Sequence, residues 1–122
     1  MGNVINYREE GIMKKYLFVF YGGMTPSTST PAQQKKEMDA WMGWFGKMGK
    51  AVVQNGGPTM PGKIVRSSGV RAIGKDPVTG YSIIQAKDLA AAVEMAKGCP
   101  SIPQGGSVAI YENMEMGTSF SH

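Results

Sequence analysis

The sequence predicts an α+β fold in which two helices lie on one face of an antiparallel sheet, and three observations lead there. Runs rich in β-branched and aromatic residues, such as YLFVFY at Tyr16–Tyr21 and YSIIQAK at Tyr81–Lys87, read as strands. Two segments place a capping residue just ahead of apolar residues spaced three and four apart, the mark of amphipathic helices. The first strand is apolar at successive positions, so both of its faces are apolar and both need a cover. In a chain of 122 residues, helices supply one cover and a second subunit is the natural source of the other.

The elements follow in order. Thr25–Gln34 (TPSTSTPAQQ) is a turn-rich loop that ends in a helix start: Thr30 caps, Pro31 fits the first helical position and Gln33 completes a capping box. The helix carries Met38, Trp41, Met42, Phe45 and Met48 as one apolar stripe, with Lys36, Asp39, Lys47 and Lys50 opposite. Gly49 falls where the helix must stop and a left-handed cap favours glycine. Gly43 and Gly46, inside the helix, leave room for another backbone or are simply tolerated.

Lys50–Asn55 (KAVVQN) then reads as a short strand, Gly56–Gly62 (GGPTMPG) as a loop, and Lys63–Ile73 (KIVRSSGVRAI) as a hairpin turning near Ser67, Ser68 and Gly69. Gly74–Gly80 is a turn and Tyr81–Lys87 a strand. Asp88 caps a second helix whose Leu89, Ala92, Val93 and Ala96 form the inner face, and Gly98 with Pro100 ends it. Gly105 and Gly106 precede the last strand, Ser107–Met116 (SVAIYENMEM). Without the hairpin the order is βαββαβ, the ferredoxin-like plan, with a bare sheet face that two copies packed sheet to sheet would cover. Residues 1–12 read as an N-terminal extension, 13–116 as the domain and 117–122 as a C-terminal tail.

Composition narrows the function. The net charge is +4, but the basic residues are scattered with no interleaved aromatics, which argues against a nucleic-acid groove. Cys99 is the sole cysteine and reads as a small buried residue at a helix-to-loop joint. The sole histidine is His122, so neither a metal centre nor a histidine base is expected, and no cofactor is implied. The polar opening MGNVINYREEGI lacks the pattern of a secretory leader, and no apolar run approaches the roughly 20 residues that span a bilayer. A cytoplasmic protein with no membrane partner is the expectation.

Three stretches resemble the YCII-related family, in particular its DGPF branch: MKKYLFVFYGG at Met13–Gly23, GYSIIQAKDLAAAVEMAKGCP at Gly80–Pro100, and GGSVAIYENMEM at Gly105–Met116. The resemblance implies a dimeric α+β barrel, in which two ferredoxin-like sheets pack face to face. The sequence departs from the family pattern in lacking the Asp-Gly-Pro-Phe motif and in a shortened stretch from Met60 to Asp76. The histidine that other members carry early in the long helix is also missing, since the same neighbourhood here reads EMDAWMGW.

Three functions fit these residues. The first is a homodimeric binding module that holds a small apolar or aromatic molecule between the long helix and the sheet, near Trp41, Trp44, Phe45 and Tyr81. Trp44 stands about 60° round the helix from Trp41, at the edge of the stripe, and so suits a groove, an interface or plain packing. The second is a cofactor-free lyase, isomerase or oxygenase using Asp39, Asp76 or Tyr81 for proton transfer, although an exposed aspartate is a weak base at neutral pH. The third is a regulatory or interaction protein with no ligand, which predicts a filled space between helix and sheet.

Overall fold

In the computed structural model, residues 13–23 and 29–114 are described. The proposed extension 1–12, the tail 117–122, His122 and Glu115 lie outside them. The fold is α+β, as expected. It comprises β1 (Lys14–Tyr21), α1 (Pro31–Met48), β2 (Val52–Pro58), β3 (Lys63–Arg66), β4 (Gly69–Ala72), β5 (Val78–Ala86), α2 (Leu89–Ala96) and β6 (Ser107–Glu112). Strands β2, β5, β1 and β6, in that order, form an antiparallel sheet, and β3 with β4 forms a separate two-stranded hairpin.

Both helix starts follow from their caps. Thr30 Oγ1 accepts from the Gln33 backbone N–H (3.1 Å) while Gln33 Oε1 accepts from that of Thr30 (2.8 Å). Asp88 accepts from the Ala91 N–H at the start of α2. Gly49 ends α1 with φ +54°, a backbone that side chains resist, and a single 3-10 turn, Gly49–Ala51, carries the chain into β2.

Strand β2 is longer than the sequence suggested, because Gly56, Gly57 and Pro58 belong to it rather than to a loop. Its pairing with β5 shifts register between Gln54 and Gly57, and the chain passes through Gly56 at φ +66°. A Cβ on Gly56 would collide with the Tyr81 carbonyl. The Asn55 carbonyl accepts from the buried Ser82 Oγ at 2.6 Å, so the irregular strand keeps its polar groups paired.

The sheet's pleat divides its residues into two sets. Tyr16, Phe18 and Phe20 of β1 and Ser82, Ile84 and Ala86 of β5 are buried under the helices. From α1 only Trp44 is fully buried, with Trp41, Phe45 and Met48 partly so. Met38 and Met42, read from spacing as part of the inner stripe, are about two-thirds exposed. In α2 the inner residues are Ala91, Ala92, Met95 and Ala96, whereas Leu89 and Val93 face outward. Both departures have one cause. Each helix is rotated so that small or flat side chains meet the sheet, and the apolar spacing alone left that rotation open by one position.

The opposite set is Leu17, Val19, Tyr81, Ile83, Ala109 and Tyr111, placed on one face by the pairings Leu17–Ile83, Val19–Tyr81, Leu17–Tyr111 and Val19–Ala109. No element among the described residues covers it.

Candidate functional site

The aromatic residues of α1 meet those of β1 in one cluster. Phe20 packs edge-on against Trp41 (4.9 Å between ring centres) and Trp44 (6.0 Å), and Trp44 touches Phe45 (5.3 Å) and Phe18 (6.3 Å). Such edge and offset contacts are the geometries aromatic quadrupoles favour. The rings therefore fill the layer between helix and sheet in this region. Trp44, placed by spacing at the margin of the stripe, is its centre, and its indole N–H donates to the Met95 carbonyl at 3.0 Å, tying α1 to α2.

Beside the cluster lies a contact that the residue pattern did not signal. Trp41 Nε1 donates to Glu37 Oε2 (2.6 Å), and the other Glu37 oxygen accepts from the Gln104 side-chain amide. Gln104 Nε2 also reaches the Pro100 carbonyl at 3.3 Å. Glu37 thus clasps the first half of α1 to the 3-10 turn Ile102–Gln104 ahead of β6. The spacing of Glu37 and Trp41, one helical turn, was the one available signal; the partner 67 residues away left none.

On the other flank of Trp44 is an open groove of about 590 Å³, lined by Ala40, Gly43, Trp44, Lys47, Gly98 and Pro100. Two glycines shape it. Nothing lies within 4 Å of a Cβ at Gly43, whereas a Cβ at Gly98 would press on Trp44 Cδ1 and Nε1 at 3.1 Å. The space that Gly43 leaves thus opens outward, into the groove and not towards another backbone of this chain. Gly46 likewise has open space beside it. The groove is shallow and open to solvent, and its lining is mostly small apolar residues with the Lys47 ammonium at one side.

Trp41, Trp44 and Phe45 are therefore brought together, and Tyr81 is not with them: it stands on the uncovered face, across the sheet. Nor do the three residues considered for proton transfer converge. Asp39 is exposed on α1 and paired with Lys35 at 3.0 Å. Asp76 is exposed in the turn before β5. The sheet separates Asp39 from Tyr81.

Cys99 is buried at the joint after α2, its Sγ 3.2 Å from Ser101 Oγ, and burial pushes its thiol above the ordinary range despite that hydrogen bond. A protonated, enclosed thiol packs and does not attack. Among the described residues, no group of three or more His, Cys, Asp or Glu is placed to hold a metal ion, and no helix is long and apolar enough to cross a membrane.

No family model matches the chain, and none of the curated proteins does.

Proposed function

We propose that the chain is a YCII-related homodimeric binding module built on the ferredoxin-like plan. Two sheets pack face to face as a dimeric α+β barrel, and a small apolar or aromatic molecule is held beside Trp44. The observation that carries this reading is the two-sided sheet. One face is sealed by helices, and the other presents half-buried aliphatic side chains that nothing among the described residues covers. Polar residues frame it, with Lys15 and Gln85 paired at one end and Gln54 beside Ile83, as at an interface with an apolar centre and a polar rim. The strand order β2-β5-β1-β6, with two helices on one side, supports the ferredoxin-like assignment.

The ligand's place differs from the one first expected. Aromatic rings fill the layer between α1 and β1, as the regulatory or interaction reading predicts, so the binding reading requires the molecule to sit at the margin, in the groove of Ala40, Gly43, Trp44, Lys47, Gly98 and Pro100. Native mass spectrometry of protein purified without added ligand, followed by the same sample denatured, tests both parts. The reading expects twice the chain mass plus a small mass that is lost on denaturation. A clean monomer would overturn the dimer, and a dimer with no retained or added aromatic ligand would overturn the binding role.

A further inference from the structure

Acidic side chains are missing from a long stretch of this chain. Residues 40–75 hold six of the 13 Lys and Arg (Lys47, Lys50, Lys63, Arg66, Arg71 and Lys75) and none of the nine Asp and Glu. All six are exposed, and among the described residues none of them is ion-paired. Lys63, Arg66, Arg71 and Lys75 belong to the hairpin β3–β4 and the turn after it. That hairpin is hydrogen-bonded to no other strand, so it stands as a two-stranded ribbon. Its pairings put Arg66 and Arg71 on one face, with Ile64, and Lys63 on the other, with Val65 and Val70. Arg66 and Arg71 are diagonal neighbours across the strands, about 7–8 Å apart in a regular ladder. Like charges placed so close repel one another, and an anion between them removes that cost. Charged side chains guard the open edges of a ribbon, but alternating signs would serve as well, and here every charge is positive.

We propose that this ribbon binds the phosphate backbone of duplex DNA. The inference goes beyond the ligand reading above and needs neither the dimer nor the groove beside Trp44. Four observations select this polyanion. A two-stranded ribbon is one of the elements that the major groove of B-form DNA admits, whereas the major groove of an RNA duplex is too narrow. Cations stand on both faces of the ribbon, which matches a groove with phosphates along each wall; a membrane or an acidic peptide would be met by one face. The turn of Ser67, Ser68 and Gly69 carries no large apolar side chain to enter a lipid interface. No aromatic residue lies between Phe45 and Tyr81, so single-stranded bases find nothing here to stack on, while a duplex needs no such platform. The lack of interleaved aromatics therefore speaks against a stacking groove and not against this contact. Contacts to phosphates position a duplex without reading its sequence, so no base preference is expected.

The test is fluorescence anisotropy of a labelled duplex of about 20 base pairs, titrated with the full chain at about 50–200 mM salt. With the four cations of the hairpin on phosphates, log K falls against log salt with a slope between about −3 and −4, a loss of roughly 100-fold over that range. Arg66→Gln with Arg71→Gln is expected to flatten the slope by about 2 and to weaken binding about tenfold at low salt. Both side chains are exposed, so circular dichroism should show the fold retained. Lys63→Gln with Lys75→Gln, which leaves both arginines, is expected to flatten the slope equally. Lys36→Gln with Lys97→Gln removes the same charge elsewhere and is expected to leave the slope unchanged. No binding at about 50 mM salt overturns the proposal. Equal weakening by the Lys36, Lys97 variant also overturns it, because net charge alone is then the cause. So does equal or tighter binding to a single strand, to an RNA duplex, or to vesicles of equal parts phosphatidylcholine and phosphatidylserine.

Discussion

The two faces of the sheet share strands but differ in what completes them. On the helix side, Tyr16, Phe18 and Ile84 are at or near zero exposure, and Phe18 meets Trp44 of the α1 aromatic cluster. On the other side, Leu17, Val19 and Ile83 are of similar apolar character and only half-buried, with nothing among the described residues above them. Alternation in a strand assigns residues to faces, but it does not say where each cover comes from. Here the chain supplies one cover, and the account assigns the other to a second copy. Substitutions on the two faces should therefore fail in different ways.

The largest effect is expected on the sealed face. Phe18→Ala removes a fully buried ring and should cost about 3–5 kcal/mol in denaturant unfolding, enough to unfold a marginal domain. A loss under about 1 kcal/mol would mean that the helix layer is loosely packed. Trp44→Phe sharpens the comparison, since a ring remains while the Met95 carbonyl loses its donor; about 1–3 kcal/mol is expected. Gly98→Ala, which pushes a methyl against the Trp44 indole from the groove side, should cost a similar 1–3 kcal/mol, less if the indole can shift. At the small end, Asp39→Asn breaks an exposed ion pair with Lys35 and should change stability by no more than about 0.5 kcal/mol, an effect that salt erases. Activity or binding lost with Asp39→Asn at unchanged stability would revive the proton-transfer reading.

Cys99 gives the sealed side a chemical reading as well. Its thiol is raised by burial, so the folded state holds the proton more tightly than the unfolded state does. That contribution is fully present below the ordinary thiol pKa and is lost as pH rises through the folded value. Stability should therefore decline in the alkaline range, and less so in Cys99→Ala. Native protein should also react with a thiol reagent at least 1,000-fold more slowly than unfolded protein.

Much of this was legible in the residues. The caps at Thr30 and Asp88, the stop at Gly49, the hairpin and the two-faced first strand each depend on neighbours within a few positions, and each appears where local chemistry put it. What was not legible depends on partners far along the chain. The rotation of α1, which sends Trp44 inward and Met38 and Met42 outward, is set by Phe18, Phe20 and Met95. The clasp of Glu37 depends on Gln104, and the inclusion of Gly56–Pro58 in β2 depends on Ser82 and Tyr81 of β5. Tyr81 was misplaced among the helix aromatics for the same reason, because its face is fixed by register with Val19 and not by its own neighbours.

The most direct test of the central claim is light scattering on the wild-type chain and on Val19→Arg, which puts a charge at the middle of the uncovered face. The account predicts a wild-type mass twice the 13.1 kDa of the chain, and a folded Val19→Arg monomer whose stability changes far less than that of Phe18→Ala. A wild-type monomer, or a Val19→Arg protein that remains dimeric, would contradict it.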